Sequence, residues 1–66
     1  MPRLTDTADR ILDVAEALLQ ERGFNGFAYK DIAAALGIRN ASIHFHFPTK
    51  SDLGVALARR YRERFM

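Results

Sequence analysis

The chain has 66 residues, a length that fits one small domain near the limit at which a single hydrophobic core outweighs chain entropy. It contains no cysteine, which excludes disulfides and thiolate metal sites and favours a cytoplasmic location. No apolar run approaches the ~20 residues that cross a bilayer, and no signal-peptide pattern opens the chain. Residues 1–33 carry four basic and six acidic side chains, and residues 34–66 carry six and two. The basic second half favours a polyanionic partner.

An amphipathic first helix is predicted from Thr5 to Arg22. Its apolar side chains recur at helical spacing, at Ala8, Ile11, Leu12, Val14, Ala15, Leu18 and Leu19. Thr5 or Thr7 is expected to cap the start of this helix. Gly23 is expected to end it in a left-handed conformation.

The segment 31–50 reads as a helix, a glycine turn and a second short helix. Three residues give the first of these helices a narrow apolar stripe: Ile32, Ala33 and Leu36. Gly37 permits the positive φ that breaks the helix sharply. Ile38 and Ile43 are expected to enter the core on either side of the turn. The hydrogen-bonding side chains of residues 39–46 are left on the outer face, and such side chains are the ones that DNA grooves bind.

A final helix is predicted after Pro48, because the residue before a proline is driven out of the α region. Thr49 and Asp52 have the spacing of a capping box at its start. An apolar stripe continues along it through Leu53, Ala56, Leu57, Tyr61 and Phe65. The arginine-rich segment 59–64 is expected to be a solvated last turn. The phenylalanines of the middle of the chain are assigned to the core or its edge, since so small a bundle needs its aromatic residues: Phe24, Phe27, Phe45 and Phe47.

This order of elements, with these residues, resembles the N-terminal DNA-binding domain of the TetR family of transcriptional repressors. The match runs from about Arg10 to Phe65, and its most specific part is the ending Phe47-Pro48-Thr49-Lys50. The resemblance implies an all-α fold: a three-helix, homeodomain-like helix-turn-helix bundle with the motif at about 28–47, plus the beginning of a fourth helix, as one domain over 1–66. It also implies a further C-terminal domain, outside these residues, that binds a small-molecule effector and forms the homodimer. The 66-residue fragment is then expected to be a monomer.

The resemblance implies that helix 40–46 enters the major groove of double-stranded DNA, at a palindromic operator in the full-length dimer. DNA contacts are assigned to Lys30, Arg39, Asn40, Ala41, Ser42, His44, His46 and Lys50. Asn40 and His44 are expected to read base edges, and Ala41 to allow close approach of the helix. Phosphate contacts are expected for Ser42, His46 and Lys50. Arg39 is expected to contact the groove or a phosphate, and Lys30 to point toward the groove edge. For each of these residues a solvated surface position or simple packing is the alternative.

Three positions depart from the family pattern. Phe27 and Ala28 stand where a hydroxyl residue usually caps the second helix, a loss of about 1 kcal/mol unless Asn25 replaces it. Arg39 is the expected N-cap of the recognition helix, with Asn40 as the alternative. His44 and His46 stand where tyrosine is frequent, so the base preference is expected to differ from that of relatives.

Other classes of function have weaker support. No nucleophile–base–acid set or phosphate-cradling glycine loop is present, so we do not expect an enzyme or a cofactor. His44 and His46 diverge by about 200° on a helix, which disfavours a metal site. One rival is a small helical protein-interaction module, with a groove formed by Ile11, Leu18, Tyr61 and Phe65. A second rival is a membrane-surface peptide formed by the basic last helix.

Overall fold

The computed structural model describes residues 6–64, which form four α-helices and a short 3₁₀ helix and contain no strand. The helices are α1 (Thr7–Arg22), the 3₁₀ turn (Phe24–Gly26), α2 (Tyr29–Leu36), α3 (Asn40–His46) and α4 (Lys50–Arg64). α1 packs against each of the other three α-helices, and α2 packs against α3. The all-α bundle with the beginning of a fourth helix is therefore confirmed.

The centre of the core contains one fully buried aliphatic side chain from each α-helix. These four side chains are Ile11, Ile32, Ile43 and Leu53. Ala15, Phe27, Tyr29, Ala33, Phe47 and Leu57 complete the buried cluster. Because every helix contributes to one shared contact region, truncating any of the four central residues would loosen all four helices. Such truncations typically cost 2–5 kcal/mol.

The two ends of α1 differ from their predicted form. Asp6 is the N-cap, and its Oδ1 accepts a hydrogen bond from the Asp9 N–H at 3.3 Å. Thr7 is the first helical residue, so it is not the cap, and Thr5 lies outside the described residues. Gly23 has the expected positive φ of 79°, but its ψ of 165° is extended and not left-handed helical. The backbone therefore leaves α1 in a direction that only glycine adopts easily.

α2 begins without a capping hydroxyl, as the sequence indicated. Its N-cap is Ala28, and neither Asn25 nor any other side chain caps it. Asp31 supplies half of a capping box instead, because its Oδ2 accepts from the Ala28 N–H at 2.9 Å. This carboxylate lies in the first turn of α2, where the helix dipole favours negative charge.

The turn between α2 and α3 has the predicted form. Gly37 has φ 69° and ψ 34°, the left-handed helical conformation. The Gly37 and Ile38 N–H groups both donate to the Ala33 carbonyl, at 2.8 and 3.1 Å, which closes the end of α2. Ile38 packs against the core, and Ile43 on α3 is fully buried.

The start of α4 confirms the predicted capping box. Thr49 Oγ1 accepts from the Asp52 N–H at 3.1 Å, and Asp52 Oδ2 accepts from the Thr49 N–H at 3.0 Å. The Thr49 hydroxyl also donates to the same carboxylate. These reciprocal bonds fix the point at which the chain turns from α3 into α4.

The last two turns of α4 are less solvated than predicted. Arg60 and Arg64 form ion pairs with Asp13 and Glu16 of α1. Spaced one turn apart, these arginines align with acidic residues of the acidic half of the chain. The interpretation of segment 59–64 as a purely solvated turn was therefore wrong for two of its arginines.

Tyr29 ties the start of α2 to the turn between α3 and α4. Its ring is buried, and its hydroxyl lies 2.9 Å from the Phe47 carbonyl oxygen and 2.7 Å from the Thr49 carbonyl oxygen. The one hydroxyl proton is shared between these two acceptors. Burial raises the pKa of Tyr29 above its usual value near 10, and the negative charge of Asp52 raises it further. The hydroxyl therefore remains a donor throughout the neutral range.

We expect Tyr29→Phe to lower the free energy of unfolding by about 1–2 kcal/mol at neutral pH, because two carbonyls lose their hydroxyl partner. The raised pKa of Tyr29 also predicts a pH dependence. Its contribution is complete below pH 10, where the folded and unfolded states both keep the proton. The contribution is lost as pH rises through the folded-state pKa, because the unfolded state releases the proton first.

Urea denaturation followed by circular dichroism between pH 7 and 11 measures both effects. An equal alkaline loss of stability in the wild type and in Tyr29→Phe would contradict the role assigned to the hydroxyl.

Candidate nucleic-acid interface

One side of α3 packs against the core, and the rest of the helix is exposed to solvent. Ile43 is fully buried and Phe47, at the C-cap, is 9% exposed. The rest of the helix surface carries the exposed side chains of Asn40, Ala41, His44, Phe45 and His46, and Ser42 is half-buried. α2, the glycine turn and α3 together form a helix-turn-helix from Tyr29 to His46.

The side chains that enter this face from neighbouring segments are largely unengaged. Lys30 and Arg39 are exposed, and neither side chain forms a hydrogen bond or ion pair within residues 6–64. Arg39 is the N-cap of α3 by backbone geometry, but its side chain does not cap the helix. Two cationic side chains thus remain available, one at the start of α2 and one at the start of α3.

His44 has a more defined position than the other exposed residues. Its ring lies 4.7 Å from the Tyr29 ring between centroids, and Nδ1 lies 3.4 Å from the Pro48 carbonyl oxygen. A hydrogen bond at this position would leave Nε2 directed away from the protein. His46 lies between two aromatic rings, 5.2 Å from Phe45 and 6.4 Å from Phe47.

No group of three or more metal-ligating side chains occurs among residues 6–64.

Lys50 is engaged within the protein. Its ammonium donates to the carbonyl oxygens of Phe24 and Phe27. It also lies 4.8 and 4.3 Å from the centroids of the same two rings, within cation–π range. Lys50 therefore connects the start of α4 to the link between α1 and α2. A phosphate contact by this residue stays a prediction, and it would have to be made by an ammonium that already has two acceptors.

Two aromatic residues differ from their predicted position. Phe45 was assigned to the core or its edge, but it is 81% exposed. Its two-residue spacing from Ile43 explains this, because a helix turns about 100° per residue and places the two side chains on opposite sides. Phe24 is 37% exposed and only partly anchors the link, whereas Phe27 is buried.

The groove expected for a protein-interaction module differs in its lining from the one inferred from the sequence. Ile11 is fully buried and does not line a groove. Phe65 lies outside the described residues. A groove of about 340 Å³ does lie between α1 and α4, lined by Glu16, Leu19, Gln20, Phe24, Gly54, Leu57, Ala58 and Tyr61. No helix within residues 6–64 is long and apolar enough to span a bilayer.

Comparison with known proteins agrees with this architecture. Residues 11–57 match the family model described as bacterial regulatory proteins of the tetR family. The crystal structure of a TetR transcriptional regulator from Legionella pneumophila superposes with a TM-score of 0.90 at 51% identity, over 96% of this chain and 34% of that one.

Curated relatives include the negative transcriptional regulator IcaR of the biofilm operon icaADBC. The Staphylococcus aureus protein is 38% identical and the Staphylococcus epidermidis protein 33% identical, each over 45 residues that make up 68% of this chain and 24% of the relative. The fold and these matches define a helix-turn-helix transcriptional regulator. The chain belongs to the TetR family, and it spans about a quarter of the length of these curated relatives.

The bonds of Lys50 predict a stabilising role that does not depend on DNA. We expect Lys50→Met to lower the free energy of unfolding by about 1–3 kcal/mol without DNA, because two carbonyls lose a charged donor. Lys30→Met is the matched control, since that side chain is exposed and should change stability by less than about 0.5 kcal/mol. Equal effects of the two substitutions in thermal unfolding would show that the Lys50 contacts do not stabilise the fold.

Proposed function

We propose that this chain is the DNA-reading part of a TetR-family repressor and that α3 enters the major groove. The observation that carries the proposal is the outer face of α3, which presents side chains with hydrogen-bonding groups to solvent. A face that bound a partner helix would be mainly apolar. The family membership supports the same assignment, as does the positive charge of residues 34–66.

The proposed roles follow from the chemistry and position of each side chain. Asn40 offers an amide to base edges, and His44 offers a ring nitrogen. Ala41 is small enough to let the helix backbone approach the bases. Contacts with phosphate are assigned to Lys30, Arg39, Ser42, His46 and Lys50. Lys50 would make its contact at the start of α4 while still bonded to the link before α2.

The function of the whole protein extends beyond these residues. We propose that the full-length protein is a homodimer that represses transcription from a palindromic operator, in the cytoplasm, under control of a small-molecule effector bound by another domain. IcaR, a negative regulator by its description, supports repression. For both copies of α3 to enter the major groove, the two half-sites must lie about one helical turn, or a simple multiple, apart.

Salt dependence tests the proposed function directly. About four to six phosphate contacts per domain should give a slope of log affinity against log salt of roughly −4 to −5, because each neutralised phosphate contributes about −0.9. Fluorescence anisotropy should be measured with a duplex obtained by selection from random sequences and with a scrambled duplex of equal composition. We expect the selected duplex to bind more tightly at every salt concentration.

Two results would count against this proposal. An affinity that is flat with salt would exclude binding led by phosphates. The absence of binding to any duplex at low salt would instead favour the protein-interaction module, whose groove would lie between α1 and α4.

A further inference from the structure

Phe45 is the most exposed of the large hydrophobic side chains in residues 6–64, at 81%. Its ring contacts the His46 ring edge to face, at 5.2 Å between centroids, and no other ring of the described residues. The core holds the other side of the helix through Ile43, so Phe45 does not help to position α3. A ring this exposed on the helix proposed to bind DNA is available for contact with that partner.

The position of Phe45 on the helix is specific. At about 100° per residue, Ala41 and Phe45 each lie about 200° around the helix axis from Ile43, in opposite senses. Both therefore lie within about 20° of the point opposite the buried residue, one turn apart on the same side. We call these two side chains the crest of α3. Ser42 and His44 lie on its two flanks and carry the nearest polar groups.

The crest is apolar, and this restricts what it can recognise in a DNA groove. A methyl group and a phenyl ring cannot hydrogen-bond to phosphate oxygens or to the acceptors of purines. In the major groove the apolar group on a base edge is the 5-methyl of thymine. A protein partner fits less well, because the crest is only two residues wide and has hydrogen-bonding side chains on both flanks.

We propose that Phe45 is a specificity-determining residue that packs on the 5-methyl group of a thymine, with Ala41 beside it. This inference rests on the proposed function, because it requires α3 to lie in the major groove. The flanking Ser42 and His44 then remain free for polar contacts on either side of the methyl group. The operator half-site accordingly contains at least one thymine whose methyl group contributes to affinity.

Replacement of thymine by deoxyuridine tests the contact, because it removes the methyl group and keeps the pairing and the O4 acceptor. Each thymine of a selected duplex is replaced in turn, and binding of the 66-residue chain is measured by anisotropy. We expect one or two positions to lose about fourfold in affinity, which is about 0.8 kcal/mol for one buried methyl. Phe45→Ala should abolish this difference between thymine and uracil at one of these positions.

Val55→Ala is the matched control, because Val55 is an exposed apolar residue of α4 and is 60% exposed. It should keep the full discrimination. Since Phe45 is exposed, Phe45→Ala should fold, and circular dichroism checks that it does. Equal affinities for thymine and uracil at every position would overturn the inference alone. So would discrimination that survives in Phe45→Ala at every position where the wild type shows it. Failure to bind any duplex would overturn both this inference and the proposed function.

Discussion

The Tyr29 hydroxyl fixes the turn at the end of α3 and so constrains the placement of this helix. It binds the carbonyls of Phe47 and Thr49, which lie on either side of Pro48. Proline lacks an N–H group, so this stretch cannot be held by a backbone ladder, and a side-chain donor from α2 holds it instead. Burial of Ile43 fixes the near side of α3, and the hydroxyl fixes the turn at its end. Only the outer face is then free to contact a partner.

The basic side chains also fall into two groups, those that stabilise the fold and those that are available to bind a partner. The acidic side chains of α1 pair with Arg60 and Arg64, so part of the basic charge of α4 serves the fold. Lys50 is likewise bonded to two carbonyls. Lys30 and Arg39 have no such partner within residues 6–64, and they lie beside α3. The availability of a basic side chain is therefore decided by its neighbours, which total charge does not reveal.

The elements that could be predicted from sequence are those set by local chemistry. The bounds of α3, the left-handed Gly37 and the Thr49–Asp52 capping box depend on residues within a few positions of one another. What the sequence did not reveal depends on distant contacts or on the orientation of a helix. The Lys50 bonds join residues 23 and 26 positions apart. The exposure of Phe45 was predictable in principle, since its spacing from Ile43 places it outward, but composition favoured a core position for every aromatic residue.

The central claim is that the outer face of α3 is the surface that binds DNA. Nuclear magnetic resonance shift mapping, with ¹⁵N-labelled chain titrated with a selected duplex, tests this claim most directly. We expect the largest amide shift changes over residues 39–47, with small changes for Leu19 and Ala58 in the groove between α1 and α4. Changes centred on that groove, with α3 unaffected, would contradict the assignment of DNA binding to α3.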